Sequence, residues 1–289
     1  ITWTQQAYVK PFNTDLTNAM LFGQTVSLSG NTLAVGAPQE AGCDIGINGS
    51  LPFDARCFGA GAVYIFTRSD TVWTQEAYVK ASNGGRLGYL FGTGLALEGD
   101  TLAVGAPGEE SCTTGINGSQ LVFPTCGSAG AVYVFTRTAG IWTQQAYVKA
   151  SNTSAGDEFG GSLALKDDNL IVGARSEDSC ATGINGNQAD EGCPGSGAVY
   201  IFTRANNLWS QVAYVKSIHA SVQASNFGLN LAFDGTTLAV SEFDFNCAKG
   251  FNPSPGSNDC VVSGAAYLFT RTATSWTQRA YVKATNTDA

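Results

Sequence analysis

The residues of this sequence best suited to covalent chemistry are its eight cysteines. They fall as Cys43 and Cys57, Cys112 and Cys126, Cys180 and Cys193, Cys247 and Cys260, separated by 14, 14, 13 and 13 positions on subtraction. Zinc sites use closely spaced Cys or His, as in CxxC, and here no such spacing occurs. His219 is the only histidine. The expected chemistry is therefore four disulfides, one per pair. Each would close a loop whose chain-entropy contribution is about 3 kcal/mol, and together they point to an oxidising compartment.

Catalytic chemistry is poorly served. A single histidine, set in SIHAS, removes most imidazole acid–base schemes, and there is no GxSxG elbow, phosphate-binding loop or dinucleotide fingerprint. Glu109, Glu110, Glu177, Asp178, Asp190 and Glu191 cluster near the cysteine loops. A glycosidase uses two carboxylates across one sugar, but acidic loop residues are more simply read as solvated charges. No catalytic residue and no enzymatic activity are expected. Asn48, Asn117 and Asn152 each head an N-glycosylation sequon.

The elements that must position these groups are repeated. WTQQAYVK at Trp3 returns at Trp73, Trp142, Trp209 and Trp276 with small changes. Between copies lie an FG pair (Phe22, Phe91, Phe159, Phe227), a TLAVGAP-like run (Thr32, Thr101, Asn169, Thr237) and a GAVYIFTR-like run (Gly61, Gly130, Gly197, Gly264). The second and third segments are apolar on both faces, so neighbouring sheets must cover them on both sides. SGNT, EGDT, KDDN and DGTT are hairpin turns between the first and second segments. In the fourth, Trp73, Ala77 and Val79 share one side while Thr74, Glu76, Tyr78 and Lys80 share the other, the pattern of a half-exposed outer strand.

These features predict an all-β chain: a β-propeller of four four-stranded antiparallel blades in one domain, 1–289. The blades run over approximately 20–80, 89–149, 157–216 and 225–283, with a surplus outer strand at 3–10. A β-solenoid is the alternative, disfavoured because its coils are shorter than this unit.

The order FG, LAVGAP, GAVYVF and a Trp strand resembles the FG-GAP repeat, known from integrin α-subunit propellers and many bacterial extracellular proteins. The resemblance covers nearly the whole chain. It implies blades, an extracellular setting and roles in adhesion or ligand binding, but no reaction. Such blades often carry a calcium loop between their first two strands. The turns here are too short for the six to eight oxygens calcium takes, so no cofactor is expected. Three cysteine loops share GING (Gly46, Gly115, Gly183), read as a conformational turn rather than a ligand loop; the fourth lacks it and carries Pro253 and Pro255.

Composition excludes other classes. Charged residues are 13% of the chain, the net charge is −8, and no Lys/Arg cluster exists. Neither nucleic acid nor an anionic membrane surface is an expected partner. No apolar run approaches the ~20 residues that span a bilayer. The sequence opens directly on a repeat element, as it would after removal of a leader. A secreted protein, extracellular or on the cell surface, is expected.

Five copies of the Trp strand stand against four blades. A bare extra strand exposes Trp3, Ala7, Tyr8 and Val9 and an unpaired edge. It could replace the last strand in a closed ring, pair with another molecule, or belong to a longer array. The leading expectation is a non-catalytic structural protein, self-assembling head to tail into a filament or surface layer through Trp3, Ala7, Tyr8 and Val9 and their counterparts Trp276, Ala280, Tyr281 and Val282. Its partner would be a second copy. The alternative is an adhesin or lectin-like module binding glycans or extracellular matrix through loop aromatics such as Phe53, Phe58, Phe123 or Phe251.

Overall fold

The computed structural model describes residues 2–13, 20–49, 56–121, 123–218, 224–243, 248–253, 263–272 and 275–285. Among them every regular element is a strand, and the strands form four antiparallel sheets of four in simple meander order. Blade 1 contains β1 (Thr25–Ser29), β2 (Thr32–Ala37), β3 (Ala62–Ser69) and β4 (Val72–Val79). Blade 2 contains β5 (Leu95–Glu98), β6 (Thr101–Ala106), β7 (Ala131–Thr138) and β8 (Ile141–Val148). Blade 3 contains β9 (Phe159–Lys166), β10 (Asn169–Ala174), β11 (Ala198–Ala205) and β12 (Leu208–Val215). Blade 4 contains β13 (Leu231–Phe233), β14 (Thr237–Glu242), β15 (Ala265–Arg271) and β16 (Trp276–Val282).

The four-bladed all-β architecture read from the repeat is therefore what forms. Gly30, Gly99, Asp167 and Asp168 sit at positive φ between the first two strands of their blades, which is what tight hairpins require.

The outer strand departs from simple alternation. In β4 the first half is largely exposed, whereas Ala77, Tyr78, Val79 and the following Lys80 are all buried. The gradient thus runs along the strand, not across it. Its buried end lies under the cysteine loop. Ile47 bridges Val79, the Asn48 N–H donates to the Tyr78 carbonyl at 2.8 Å, and the Tyr78 N–H donates to Asn48 Oδ1 at 2.9 Å. Asn117 and Asn185 do the same in blades 2 and 3. In blade 4, Phe251 and Asn252 make the same contacts with Val282 and Tyr281. The GING signature is thus a turn that covers a strand edge, and Gly250-Phe251-Asn252 is its counterpart in the fourth loop.

Sheets stack face to face, and call the face each blade turns toward its predecessor its front and the other its rear. The rear of blade 1 (Ala34, Val63, Ile65, Val79) packs on the front of blade 2 (Leu97, Leu102, Val104, Tyr133, Phe135). Equivalent clusters join blades 2 and 3 and blades 3 and 4. A fourth cluster lies on the front of blade 1, where Val9, Phe12, Met20 and Phe22 pack against it and no further blade covers it among the described residues.

The stacking is closest at the inner strands. A Cβ on Gly105 of β6 would stand 1.9 Å from the Gly160 carbonyl oxygen of blade 3, and one on Gly36 or Gly173 would stand 2.3 Å from that of Gly92 or Gly228. The glycine of each GA pair therefore receives the carbonyl of the next blade's FG pair. The Gly105→Ala substitution is expected to force these blades apart and to lower stability by several kcal/mol, roughly the cost of overpacking with backbone displacement. Denaturant unfolding of the variant measures this; an unchanged midpoint would show the contact to be soft.

Candidate functional site: the joint between blades

Each outer strand carries a β-bulge. Register shifts between Ile65 and Phe66, Val134 and Phe135, Ile201 and Phe202, and Leu268 and Phe269, leaving Glu76, Gln145, Val212 and Arg279 without a paired partner. A bulge re-aims a side chain, and here it reaches across to the next blade. Glu76 Oε2 accepts from Arg137 Nη1 at 2.9 Å. Gln145 Oε1 accepts from Arg204 Nη1 at 3.2 Å and from Trp209 Nε1 at 2.9 Å. Each arginine lies over the tryptophan of its own hairpin, Arg137 on Trp142 at 5.0 Å and Arg204 on Trp209 at 5.1 Å, and donates to the preceding blade's second strand at Thr32 or Thr101. The Arg of FTR and the fourth residue of WTQx were not singled out from sequence, though both recur at fixed places in every repeat.

A second contact lies deeper. Asn83, three residues after Lys80, accepts from the Tyr133 hydroxyl and donates to Glu109 Oε1 at 2.9 Å. Asn152 does the same with Tyr200 and Glu177.

Trp3–Lys10 forms no strand among the described residues, because no neighbouring strand is present to pair with it. It nevertheless occupies the place of an outer strand at the front of blade 1. Gln6 Oε1 accepts from Arg68 Nη1 at 3.2 Å and from Trp73 Nε1 at 3.1 Å, as Gln145 does one joint further on. Asn13 Oδ1 accepts from the Tyr64 hydroxyl at 2.6 Å, and its amide reaches Glu40 at 3.5 Å. Val9 packs on the blade, whereas Ala7 is exposed and Trp3 and Tyr8 are 94% and 76% exposed. Within the chain, Gln6, Asn13 and Phe12, which meets Tyr64 and Tyr78 edge-on, carry the contact together with Val9, while Trp3, Ala7 and Tyr8 are left exposed.

The two terminal faces differ. At the front of blade 1, Val26 and Leu28 are 64% and 63% exposed, while their blade 2 counterparts Leu95 and Leu97 are half-buried and 7% exposed. At the rear of blade 4, Ala239, Leu268 and Val282 are half-buried where their blade 3 counterparts Ile171, Ile201 and Val215 are fully buried. The GA glycine is replaced there by Ser241, whose hydroxyl accepts from the Asn230 N–H at 3.1 Å. The bulge position holds Arg279, which donates to Thr270 Oγ1 at 2.7 Å. Of the C-terminal residues expected to assemble, Ala280 and Tyr281 are buried within the blade, and Trp276 packs against Phe233 with centroids 5.8 Å apart.

The remaining sequence candidates have structural partners. Cys43–Cys57, Cys112–Cys126 and Cys180–Cys193 are disulfides; Cys247, Cys260, His219 and Phe53 lie outside the described residues. Glu109 and Glu177 are not solvated loop charges. They are buried ion-pair partners of Lys149 and Lys216 at 2.8 and 2.7 Å, as Glu40 is of Lys80 at 2.6 Å. Burial pushes these ammonium groups down, and the facing carboxylates pull them back up. Asn48 and Asn117 are exposed, whereas both amide donors of Asn152 are engaged, with Glu177 and the Gln188 carbonyl. Phe58, Phe123 and Phe251 are exposed in the loops of blades 1, 2 and 4. At the inner ends of the blades, a cleft of ≈ 350 Å³ is lined by Gln24, Gln39, Thr93, Ser162, Glu158 and Arg175, of which the last two pair with each other. Among the described residues, no group of three or more His, Cys, Asp or Glu could hold a metal ion, and no helix is long and apolar enough to cross a membrane.

One buried carboxyl lacks a counter-charge. Asp157 accepts from the Ser154 N–H at 2.8 Å, while its Oδ1 is buried with no partner. Desolvation first, then the charges of Glu177, Glu191 and Asp178, push its pKa up to about 7 from 3.8. The folded state therefore holds a proton that the unfolded chain releases near pH 4. The contribution of Asp157 to stability is greatest below that point and falls as pH rises toward 7, by at most about 1.4 kcal/mol per pH unit. The Asp157→Asn variant is expected to flatten that slope and to be more stable than the parent above pH 7. Unfolding midpoints from pH 4 to 8 test this, and parallel curves for the two proteins would sink it.

The FG-GAP repeat family model matches residues 3–66 and 142–202. No curated protein matches the chain. Among solved structures, the N-terminal domain of Nup159 aligns with a TM-score of 0.38 at 8% identity, covering 89% of this chain and 47% of that one, so the chain spans about half that structure's length.

Proposed function

We propose that this chain, an FG-GAP repeat protein, is a non-catalytic extracellular structural module whose working surface is the front of blade 1. The observation that carries this is the asymmetry of its terminal faces. The front of blade 1 keeps every part of the internal joint: the Arg68–Trp73 clamp, the FG pair Phe22-Gly23, and Val26 and Leu28 uncovered. The rear of blade 4 has lost the glycine socket and the acceptor. Disulfides in the cysteine loops support the extracellular setting.

Simple head-to-tail growth meets two obstacles. Ser241 sets a side chain where each internal joint receives an FG carbonyl, and Arg279 would face Arg68 of the next copy, like charge against like. The terminal contact is accordingly assigned to the front face alone. A lectin-like reading has no comparable support, because the exposed aromatics stand on the loops of separate blades.

In native assemblies, the Val26→Asp/Leu28→Asp double variant is expected to be released as single chains, while Leu268→Asp at the other end stays assembled. Light scattering coupled to size exclusion, with negative-stain microscopy, reads both. Release by Leu268→Asp, or by neither, would overturn the assignment.

A further inference from the structure

Resting on that reading of the front face, we infer that its occupant is a three-stranded FG-GAP sheet for which Trp3–Lys10 supplies the fourth strand. The basis is the internal joint itself. Where blade 1 meets blade 2 and blade 2 meets blade 3, four parts coincide: an outer strand whose bulge residue accepts from the next blade's Arg, an Asn three residues past its Lys, an apolar rear face, and a GA glycine admitting the FG carbonyl. The joint between blades 3 and 4 keeps the last two and has Val212 at the bulge. At the front of blade 1, the first two are in place. Gln6 serves Arg68 and Trp73, and Asn13 serves Tyr64. The missing parts are those that first, second and third strands supply: the apolar surface over Val26 and Leu28, and a glycine to receive Gly23.

The half-occupied joint also explains the exposure of Trp3 and Tyr8. Their counterparts in blade 2, Trp142 and Tyr147, are buried, and Tyr147 pairs with Tyr133 of its own third strand. Without a third strand beside it, Trp3–Lys10 has side chains anchored on blade 1 but no ladder.

The chemistry required of the occupant is specific. Its second strand must have glycine where Gly36, Gly105 and Gly173 stand, and its rear face must be small and apolar, as Ala103, Val132 and Val134 are. In this chain the three rear faces that meet these terms are covered by the next blade, and the fourth has Ser241. A second copy of this chain therefore does not qualify, and the occupant is a further blade of the same repeat type.

The test places residues 89–139, which carry β5 to β7, ahead of Ile1 in the full chain, so that Ala139 leads into Ile1-Thr2-Trp3 as Ala273 leads toward Trp276. Hydrogen exchange is read on the peptide 2–13. Exchange across Trp3–Lys10 is expected to slow by about a hundred-fold or more relative to the unextended chain, with a rise in melting temperature. The same extension with its own Gly105→Val should lose both effects. An extension that stays protease-sensitive with Trp3–Lys10 exchanging freely, or one whose Gly105→Val form protects equally well, overturns the inference. Protection in the extended chain, with native assemblies indifferent to Val26→Asp/Leu28→Asp, would preserve this inference and sink the assembly reading alone.

Discussion

The structure depends on one close approach: the backbone carbonyl of an FG glycine set against the Cα of a GA glycine in the preceding blade. At Gly105 no side-chain atom fits, since a Cβ would stand 1.9 Å from the Gly160 oxygen. This contact fixes how near the inner strands come. With the inner edges pinned, the outer strands must diverge, and the wider gap is filled by Tyr, Phe and Trp on the front of one blade against Val, Ile and Ala on the rear of the one before. Large residues face small ones at each joint, which is how a close-packed interface avoids voids without strain. The FG Phe belongs to the same device. Phe91, Phe159 and Phe227 meet their own blade's Tyr edge-on at 5.4, 5.3 and 5.5 Å, holding the turn that presents the carbonyl.

Because socket and carbonyl lie on opposite faces, the stack has a direction. Blade 4 has lost the socket. Ser241 is tolerated there because no FG turn presses on it, and its hydroxyl holds Asn230 instead. Val212, the bulge residue facing blade 4, cannot accept a hydrogen bond, and Arg271 turns to Asn169 Oδ1 at 2.7 Å. The last joint is thus looser in its polar part and retains its apolar cluster.

Much of this was legible in the sequence and some was not. The strands, their order and three of the cysteine pairings follow from a repeat strict enough that each segment has only one place to go. The roles of Glu109 and Glu177 were hidden because their lysines lie about 40 residues away, at the end of a strand on the far side of a long loop. Only the folded blade brings them together. Alternation along β4 misled for a related reason: the bulge at Glu76 breaks the period of two, so Lys80 is on a buried face although counting puts it with Thr74. The surplus Trp strand was legible as surplus, but not its location. Its anchoring runs through Gln6, Phe12 and Asn13 rather than through Trp3 and Tyr8.

The same facts bear on what the buried carboxylates do. A catalytic carboxylate needs room for substrate beside it. Glu40, Glu109 and Glu177 have none, because each is closed in by a lysine and by the asparagine of the preceding strand or segment. Those pairs contribute little net stability once the cost of desolvating two charges is counted. What they confer is register: breaking one would leave a bare charge inside, so the cysteine loop, the outer strand and the neighbouring blade must meet in one arrangement. Polar groups that another fold would present to a ligand are used in this one to align sheets. The exposed apolar pair Val26 and Leu28, beside an arginine–tryptophan clamp already half engaged by Gln6, is where that alignment is left unfinished.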